Sequence, residues 1–261
     1  MNELALITGA TSGIGKAFAE RLLSQGHDLI LVGRSQDRLE AFVASYPDRK
    51  IRMLAADLST DEGIQMVSQC CATEPLTMLV NNAGVAHYMP FDELSVSQMR
   101  KVLQVKTVAP TRLAQAAVVG MKKRGRGDII NVAGMIAFSG PASAATMPRR
   151  VVYGGCLAYL VSMTQLLSAE LDGSGVNVQV LCPGVVATEF HTRQGLDLSA
   201  VPRMSAEEVV TASLRGLELG EVVTAPGVED SDLLKAVFRA ERAVFSAQTP
   251  QLVARYRSKS A

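Results

Sequence analysis

The chain has little that would commit it to nucleic acid, a membrane or a metal. Acids and bases are interspersed and the net charge is +1 over 261 residues, so no broad field of one sign exists to hold a polyanion or an anionic lipid surface. No apolar run reaches the roughly 20 residues that span a bilayer. Met1-Asn2-Glu3 leads straight into a strand pattern, without a charged-then-apolar leader. A cytoplasmic protein is therefore expected. The four cysteines lack metal-ligand or disulfide spacing: Cys70 and Cys71 are adjacent, and Cys156 and Cys182 sit alone in apolar surroundings. Buried reduced thiols and no bound metal are expected. Internal repeats and low-complexity tracts are missing too, which leaves a small molecule as the expected partner.

What is present is 48% hydrophobic content, enough for one sizeable core. Short β-type runs at 4–8, 28–32, 51–55, 78–81, 128–132 and 177–182 alternate with helical patterns beginning near Gly13, Gln36, Asp61, Ser95, Tyr153 and Ser205. That alternation predicts an α/β fold: one Rossmann-type domain over 1–261, with a doubly wound parallel sheet and helices on both faces. Loop chemistry interrupts it at 138–150 and at 185–204, the second placed to cover a substrate, and a peripheral helix is expected at 230–246.

The first strand runs into Thr8-Gly9-Ala10-Thr11-Ser12-Gly13-Ile14-Gly15. Glycines at a strand-to-helix turn let the backbone bend sharply, approach a pyrophosphate closely and pack the helix on its strand; the helix start then offers unpaired N–H groups. Asp57 follows the third strand, where a carboxylate can accept from an adenine amino group. Asn81-Asn82-Ala83-Gly84 ends the fourth strand, and Cys182-Pro183-Gly184-Val185-Val186-Ala187-Thr188 ends the sixth. With the glycine turn, these spaced motifs resemble the short-chain dehydrogenase/reductase family over about 4–227. The resemblance implies that Asn81, Ala83 and Gly84 hold the adenosine side and scaffold the sheet, and that Thr188 and the backbone near Val186, after Pro183 and Gly184, meet a nicotinamide. At the end of the second strand stand Arg34 and Ser35 rather than an acid. A guanidinium and a hydroxyl suit a 2′-phosphate, so NADP(H) is preferred and NAD(H) is possible. The competing expectation is that Arg34 pairs with Asp37 or Glu40.

For family members that reduce carbonyls, the resemblance implies a Tyr, a Lys four residues later, a Ser and an Asn. Tyr153 matches the Tyr, but Leu157 stands at the Lys position, Gly134 at the Ser position and Lys106 at the Asn position. A free phenol has a pKa near 10 and needs a neighbouring positive charge to respond at neutral pH. Two outcomes follow. Either the chemistry is lost and the chain is a dinucleotide-binding relative with a regulatory or assembly role, or it is redistributed. In the second case Lys106 reaches from the neighbouring helix to lower the pKa of Tyr153, unless it snorkels to the surface or pairs with a carboxylate. Ser139, Ser143 or Thr146 would then supply a hydroxyl, and Arg149 and Arg150 positive charge. His87, Tyr88, Phe190 and His191 are expected at the pocket rim, with Leu196, Leu198 and Val201 closing over an apolar substrate. The expected activity is an NADP(H)-dependent carbonyl reduction or alcohol oxidation centred on Tyr153. The resemblance also implies a homodimer or homotetramer, built through the helices around 95–121 and 153–171.

Overall fold

A computed structural model describes residues 3–141 and 148–257. They fall into two compact units, Met1–Pro226 and Gly227–Ala261. In the larger unit the strands are β1 (Leu4–Thr8), β2 (Asp28–Gly33), β3 (Ile51–Ala55), β4 (Met78–Asn81), β5 (Gly127–Val132), β6 (Val176–Leu181) and β7 (Val223–Thr224). The helices are α1 (Gly13–Ser24), α2 (Gln36–Ala44), α3 (Asp61–Thr73), α4 (Val96–Leu103), α5 (Ala109–Arg124), α6 (Val151–Glu170), the short α7 (Phe190–Arg193) and α8 (Ala206–Glu218). The smaller unit holds α9 (Ser231–Ser246), none of whose residues is buried.

All strands pair in parallel in the order β3-β2-β1-β4-β5-β6-β7, as the alternation of patterns predicts. The two-residue β7 escaped the sequence reading because so short a run has no legible period. Alternation along β1 divides the core: Ala5 and Ile7 face Phe18 and Leu22 of α1 and Val209 of α8. Leu6 joins Ile64 of α3 and Leu113 and Met121 of α5 on the opposite face. Each such fully buried Leu or Ile contributes roughly 1.5–3 kcal/mol, so both sheet faces are strongly held. α6, 20 residues long, is apolar enough to cross a membrane by length and composition. It nevertheless lies on β6 and buries Tyr153, Cys156, Leu157, Leu160, Val161 and Thr164, which accounts for its apolar character.

Strand order reverses between β1 and β4, and the crevice beyond the carboxyl ends of these strands is where such sheets bind ligands. Below it, a buried amide chain ties the layers together. Asn81 Nδ2 donates to Asn131 Oδ1 at 2.9 Å and to the Pro110 carbonyl at 3.3 Å, and Asn131 Nδ2 donates to Thr164 Oγ1 at 3.0 Å. Removing the middle member strands buried partners on both sides. Asn131→Ala is expected to lower the unfolding free energy by about 2–4 kcal/mol, and Thr164→Val by only about 1 kcal/mol, measured by urea denaturation; equal losses would show that the amides do not act as a chain.

Candidate active site

The turn after β1 is closed by contacts that leave no room for side chains. Gly9 and Gly13 have φ of 65° and 51°, values that disfavour any residue with a Cβ. A Cβ on Gly13 would come within 2.9 Å of Thr188 Cγ2, and one on Gly15 within 2.3 Å of the Gly9 carbonyl oxygen. Thr8 and Asn82 hold this turn against the end of β4: Thr8 Oγ1 accepts from the N–H groups of Asn82 at 2.9 Å and Ala83 at 3.0 Å. Asn82 Nδ2 donates back to the carbonyls of Thr8 at 3.0 Å and Gly9 at 3.2 Å. The helices α2, α3, α4 and α8 are capped by Ser35, Thr60, Ser95 and Ser205. In contrast, Ser12 makes no capping bond at the start of α1, whose first turn carries no acid. Its first N–H groups are left for an anion.

A cleft of about 560 Å³ runs from this turn to Tyr153. Gly9, Thr11, Ser12, Gly13, Ile14, Arg34, Asp57, Ala83, Gly84, Pro183, Gly184, Val186 and Thr188 line it, as do Lys106 and Tyr153. Three sequence-derived positions do not. Gly15 packs beneath the turn. The Ser35 hydroxyl is engaged as the cap of α2, accepting from the Arg38 N–H at 3.4 Å. Asn81 faces the core and serves as scaffold, while its neighbour Asn82 reaches the cleft. Strand alternation, which sends successive side chains to opposite faces, was the signal for that difference.

Asp57 Oδ1 accepts from the Ser59 N–H at 2.9 Å and the Ser59 hydroxyl at 2.8 Å. Burial opposes its charge, but these bonds, with Arg34 and Lys101 nearby, hold its pKa below the ordinary value. Arg34 is exposed at the mouth of the cleft. Among the described residues it has no carboxylate within 4.0 Å, so the expected pairing with Asp37 or Glu40 is not made. Arg193 and Lys101, which the sequence reading passed over, also line the cleft. Arg193 Nη1 donates to Ser12 Oγ at 3.2 Å while its Nη2 pairs with Glu189, so α7 is fastened to the glycine turn.

Tyr153 is buried in an aromatic wall, with Tyr88 edge-on at 5.8 Å and Phe190 tilted at 6.2 Å between centroids. Burial, then Tyr88 and Cys156, push its pKa well above the ordinary phenol value. Lys106 sits on a single π-helical turn, Gln104–Val108, between α4 and α5. It is buried, and its Nζ donates to the Val132 carbonyl at 2.9 Å. It does not snorkel, and it has no carboxylate partner among the described residues; burial brings its pKa down to about 8. The expectation that Lys106 lowers the pKa of Tyr153 is not met: one donor of the ammonium goes to a β5 carbonyl, and burial, then Tyr88 and Cys156, raise the phenol. Leu157 packs behind Gly134, where an added Cβ would meet Leu157 Cδ1 at 3.5 Å.

Among the candidate hydroxyls, Ser139 Oγ donates to the Ile136 carbonyl at 2.8 Å and accepts from Arg150 Nη2 at 2.8 Å; Ser143 and Thr146 lie outside the described residues. Arg150 acts on Tyr88, whose pKa burial pushes up to about 12 against that charge, rather than on Tyr153. Arg149 and His87 do not line the cleft, whereas Tyr88, Phe190, His191, Leu196, Leu198 and Val201 do.

Residues 3–198 match the short chain dehydrogenase family. Among solved structures, a short-chain dehydrogenase from Sphingobium yanoikuyae in complex with NADPH superimposes with a TM-score of 0.91 at 31% identity, over 97% of this chain and all of that one. The bulky-bulky ketone specific alcohol dehydrogenase of Comamonas testosteroni gives 0.86 at 27% identity, over 97% and 98%. The very-long-chain 3-oxoacyl-CoA reductase of Mus musculus is 26% identical over 84% of this chain and 70% of its own length. With the glycine turn, the sheet order and the cleft in agreement, the chain belongs to the short chain dehydrogenase family of oxidoreductases.

Proposed function

We propose that the protein is an NADP(H)-dependent oxidoreductase that reduces a carbonyl, or oxidises the corresponding alcohol, at an atypical site beside Tyr153. One observation carries this reading: a single cleft joins an anion-ready glycine turn and an unpaired Arg34 to an aromatic pocket containing Tyr153. The residues fit a dinucleotide. Gly9, Gly13 and the N-terminus of α1 would hold its diphosphate, Asp57 its adenine, Arg34 a 2′-phosphate, and Thr188 with the Pro183–Gly184 backbone its nicotinamide end. When bound, that group supplies or accepts hydride. The chain's part is to exclude water with Phe190, Leu196, Leu198 and Val201, to orient the carbonyl against Tyr153, and to manage a proton.

The site is atypical in that Gly134, Leu157 and Lys106 occupy positions where the family resemblance implies Ser, Lys and Asn. The same features favour a second reading, a dinucleotide-binding relative without turnover: the phenol of Tyr153 is raised by burial, and no cation among the described residues acts on it. NADPH oxidation with a panel of ketones separates the two, since cofactor binding without oxidation of any of them leaves only the second.

Arg34→Ala is expected to weaken NADPH binding by about 10- to 100-fold, one charge-assisted phosphate contact, and to leave NADH binding nearly unchanged. Titration by nucleotide fluorescence checks this, and equal NADPH and NADH affinities in the unsubstituted chain would remove Arg34 from the 2′-phosphate role. The apolar wall predicts that neutral bulky ketones outperform short keto acids. Leu198→Asp is expected to lower kcat/KM for such ketones by about 10-fold or more, through loss of apolar contact in the closed pocket. Keto acids reduced faster than neutral ketones by the unsubstituted chain would contradict the substrate class.

A further inference from the structure

Lys106 is the buried cation of this molecule that the reading above leaves without a task. The π-helical turn places it at the wall of the cleft, where its Nζ has one acceptor among the described residues, the Val132 carbonyl. An ammonium carries three donors, so two remain. Gly84 keeps the cleft side of the amine open: a Cβ there would lie 3.3 Å from both Lys106 Cε and Nζ. A second cavity, of about 10 Å³ and lined by Thr8, Asn81, Pro110 and Leu160 among others, borders the same side chain. That is near the smallest space that takes one water molecule, and its Thr8 and Asn81 walls are polar. Lys106 therefore borders both this small cavity and the cleft that contains Tyr153. The Tyr153 hydroxyl makes no hydrogen bond among the described residues, and its neighbours are Tyr88, Phe190 and Cys156.

We propose that Lys106, rather than Tyr153, holds the proton that the substrate oxygen takes up in reduction and returns in oxidation, which rests on the oxidoreductase reading given above. As hydride arrives from the dihydronicotinamide at the carbonyl carbon, the C=O π pair moves onto oxygen, and oxygen takes a proton from the Lys106 ammonium. The N–H pair stays on Nζ, leaving a neutral amine that water reprotonates. Oxidation runs the same transfers backward: the amine accepts the hydroxyl proton and hydride leaves the carbon. Tyr153 keeps a role as a neutral hydrogen-bond donor that orients the oxygen. The two environments agree with this division of labour. Burial brings the ammonium to about 8, within reach of neutral pH, and drives the phenol far from it. Of the titratable groups that line the cleft with it, Arg34, Asp57, Tyr88, Lys101, Tyr153, His191 and Arg193, none acts on Lys106; Cys156 on α6 does, and it works against that lowering.

The test combines a titration with pH–rate profiles on the full chain. In isotope-labelled lysine NMR without nucleotide, the Lys106 resonance, assigned with Lys106→Arg, is expected to titrate near pH 8. With NADPH, the rate of ketone reduction is expected to hold below that pH and fall above it, because the ammonium is the donor. Tyr153→Phe keeps the break with a reduced rate. Lys106→Met is expected to lose about 100-fold or more in rate, and Lys106→Arg to lose the break, since a guanidinium does not titrate there. NADPH fluorescence titration and Tm confirm that each variant binds and folds. An unchanged break in Lys106→Arg, its disappearance in Tyr153→Phe, or a Lys106 resonance that stays charged past pH 10 overturns the proton assignment and leaves the oxidoreductase reading standing. Absence of any ketone reduction by the unsubstituted chain overturns both.

Discussion

The reciprocal hydrogen bonds between Thr8 and Asn82 are the constraint on which the site depends. A parallel sheet leaves the ends of β1 and β4 splayed at the point where the strand order reverses, and a ligand crevice forms there only if the two ends keep a fixed separation. Thr8 Oγ1 accepts two N–H groups from the β4 end, and the Asn82 amide returns two bonds to the β1 end. Each such bond is worth about 1 kcal/mol net, but leaving one of these groups buried and unpaired costs about 1–3 kcal/mol, so the set is nearly all-or-none. With it in place, Gly9 lies against Ala83 and Gly13 against Thr188, and the glycine turn, the β4 end and the loop after β6 become one wall.

Charge on that wall is not visible in the total. The chain carries a net charge of +1, yet Arg34, Lys101, Lys106 and Arg193 line the cleft against Asp57 as its carboxylate. A cleft with low-dielectric walls focuses such an imbalance, and it attracts an anion without making the surface as a whole cationic. Arg193 is partly neutralised by Glu189, while Arg34 is not. The two guanidiniums therefore differ in availability to a phosphate, although both line the same cleft.

The sheet and its order were legible because the strands are bounded by turn chemistry and, apart from the edge strand β3, mostly buried, which produces short continuous apolar runs such as Leu29 to Val32. Most of the glycine turn was legible for the same reason that it functions: φ of 65° and 51° at Gly9 and Gly13, with no room there for a Cβ, strongly favours glycine. What escaped depends on facing and on pairing across the fold. Ser35 reads equally well as a phosphate donor or as a helix cap, and its oxygen does accept the Arg38 N–H, a bond that does not use the hydroxyl's own donor. Asn81 and Asn82 read as one motif, but alternation sends one into the core and the other to the cleft. The π turn around Lys106 inserts its bulge into an uninterrupted helical pattern, and no residue type in 102–109 announces it.

That bulge bears on the site proposed above to be atypical. A lysine on α6 one turn after Tyr153 would bring its charge along the same helix face; Leu157 instead fills that volume and packs behind Gly134. The pair is self-consistent, since an apolar Leu157 needs no partner and a glycine at 134 leaves space for it. The cost appears at Lys106, whose ammonium is desolvated with one carbonyl for compensation. Replacing a buried charge of this kind by an apolar side chain of similar length is commonly neutral or stabilising, so packing alone gives no physical reason to keep it. A lysine kept at the cleft wall under that penalty is the kind of group whose proton is readily exchanged, because the environment that destabilises the ammonium also brings its two protonation states close in free energy.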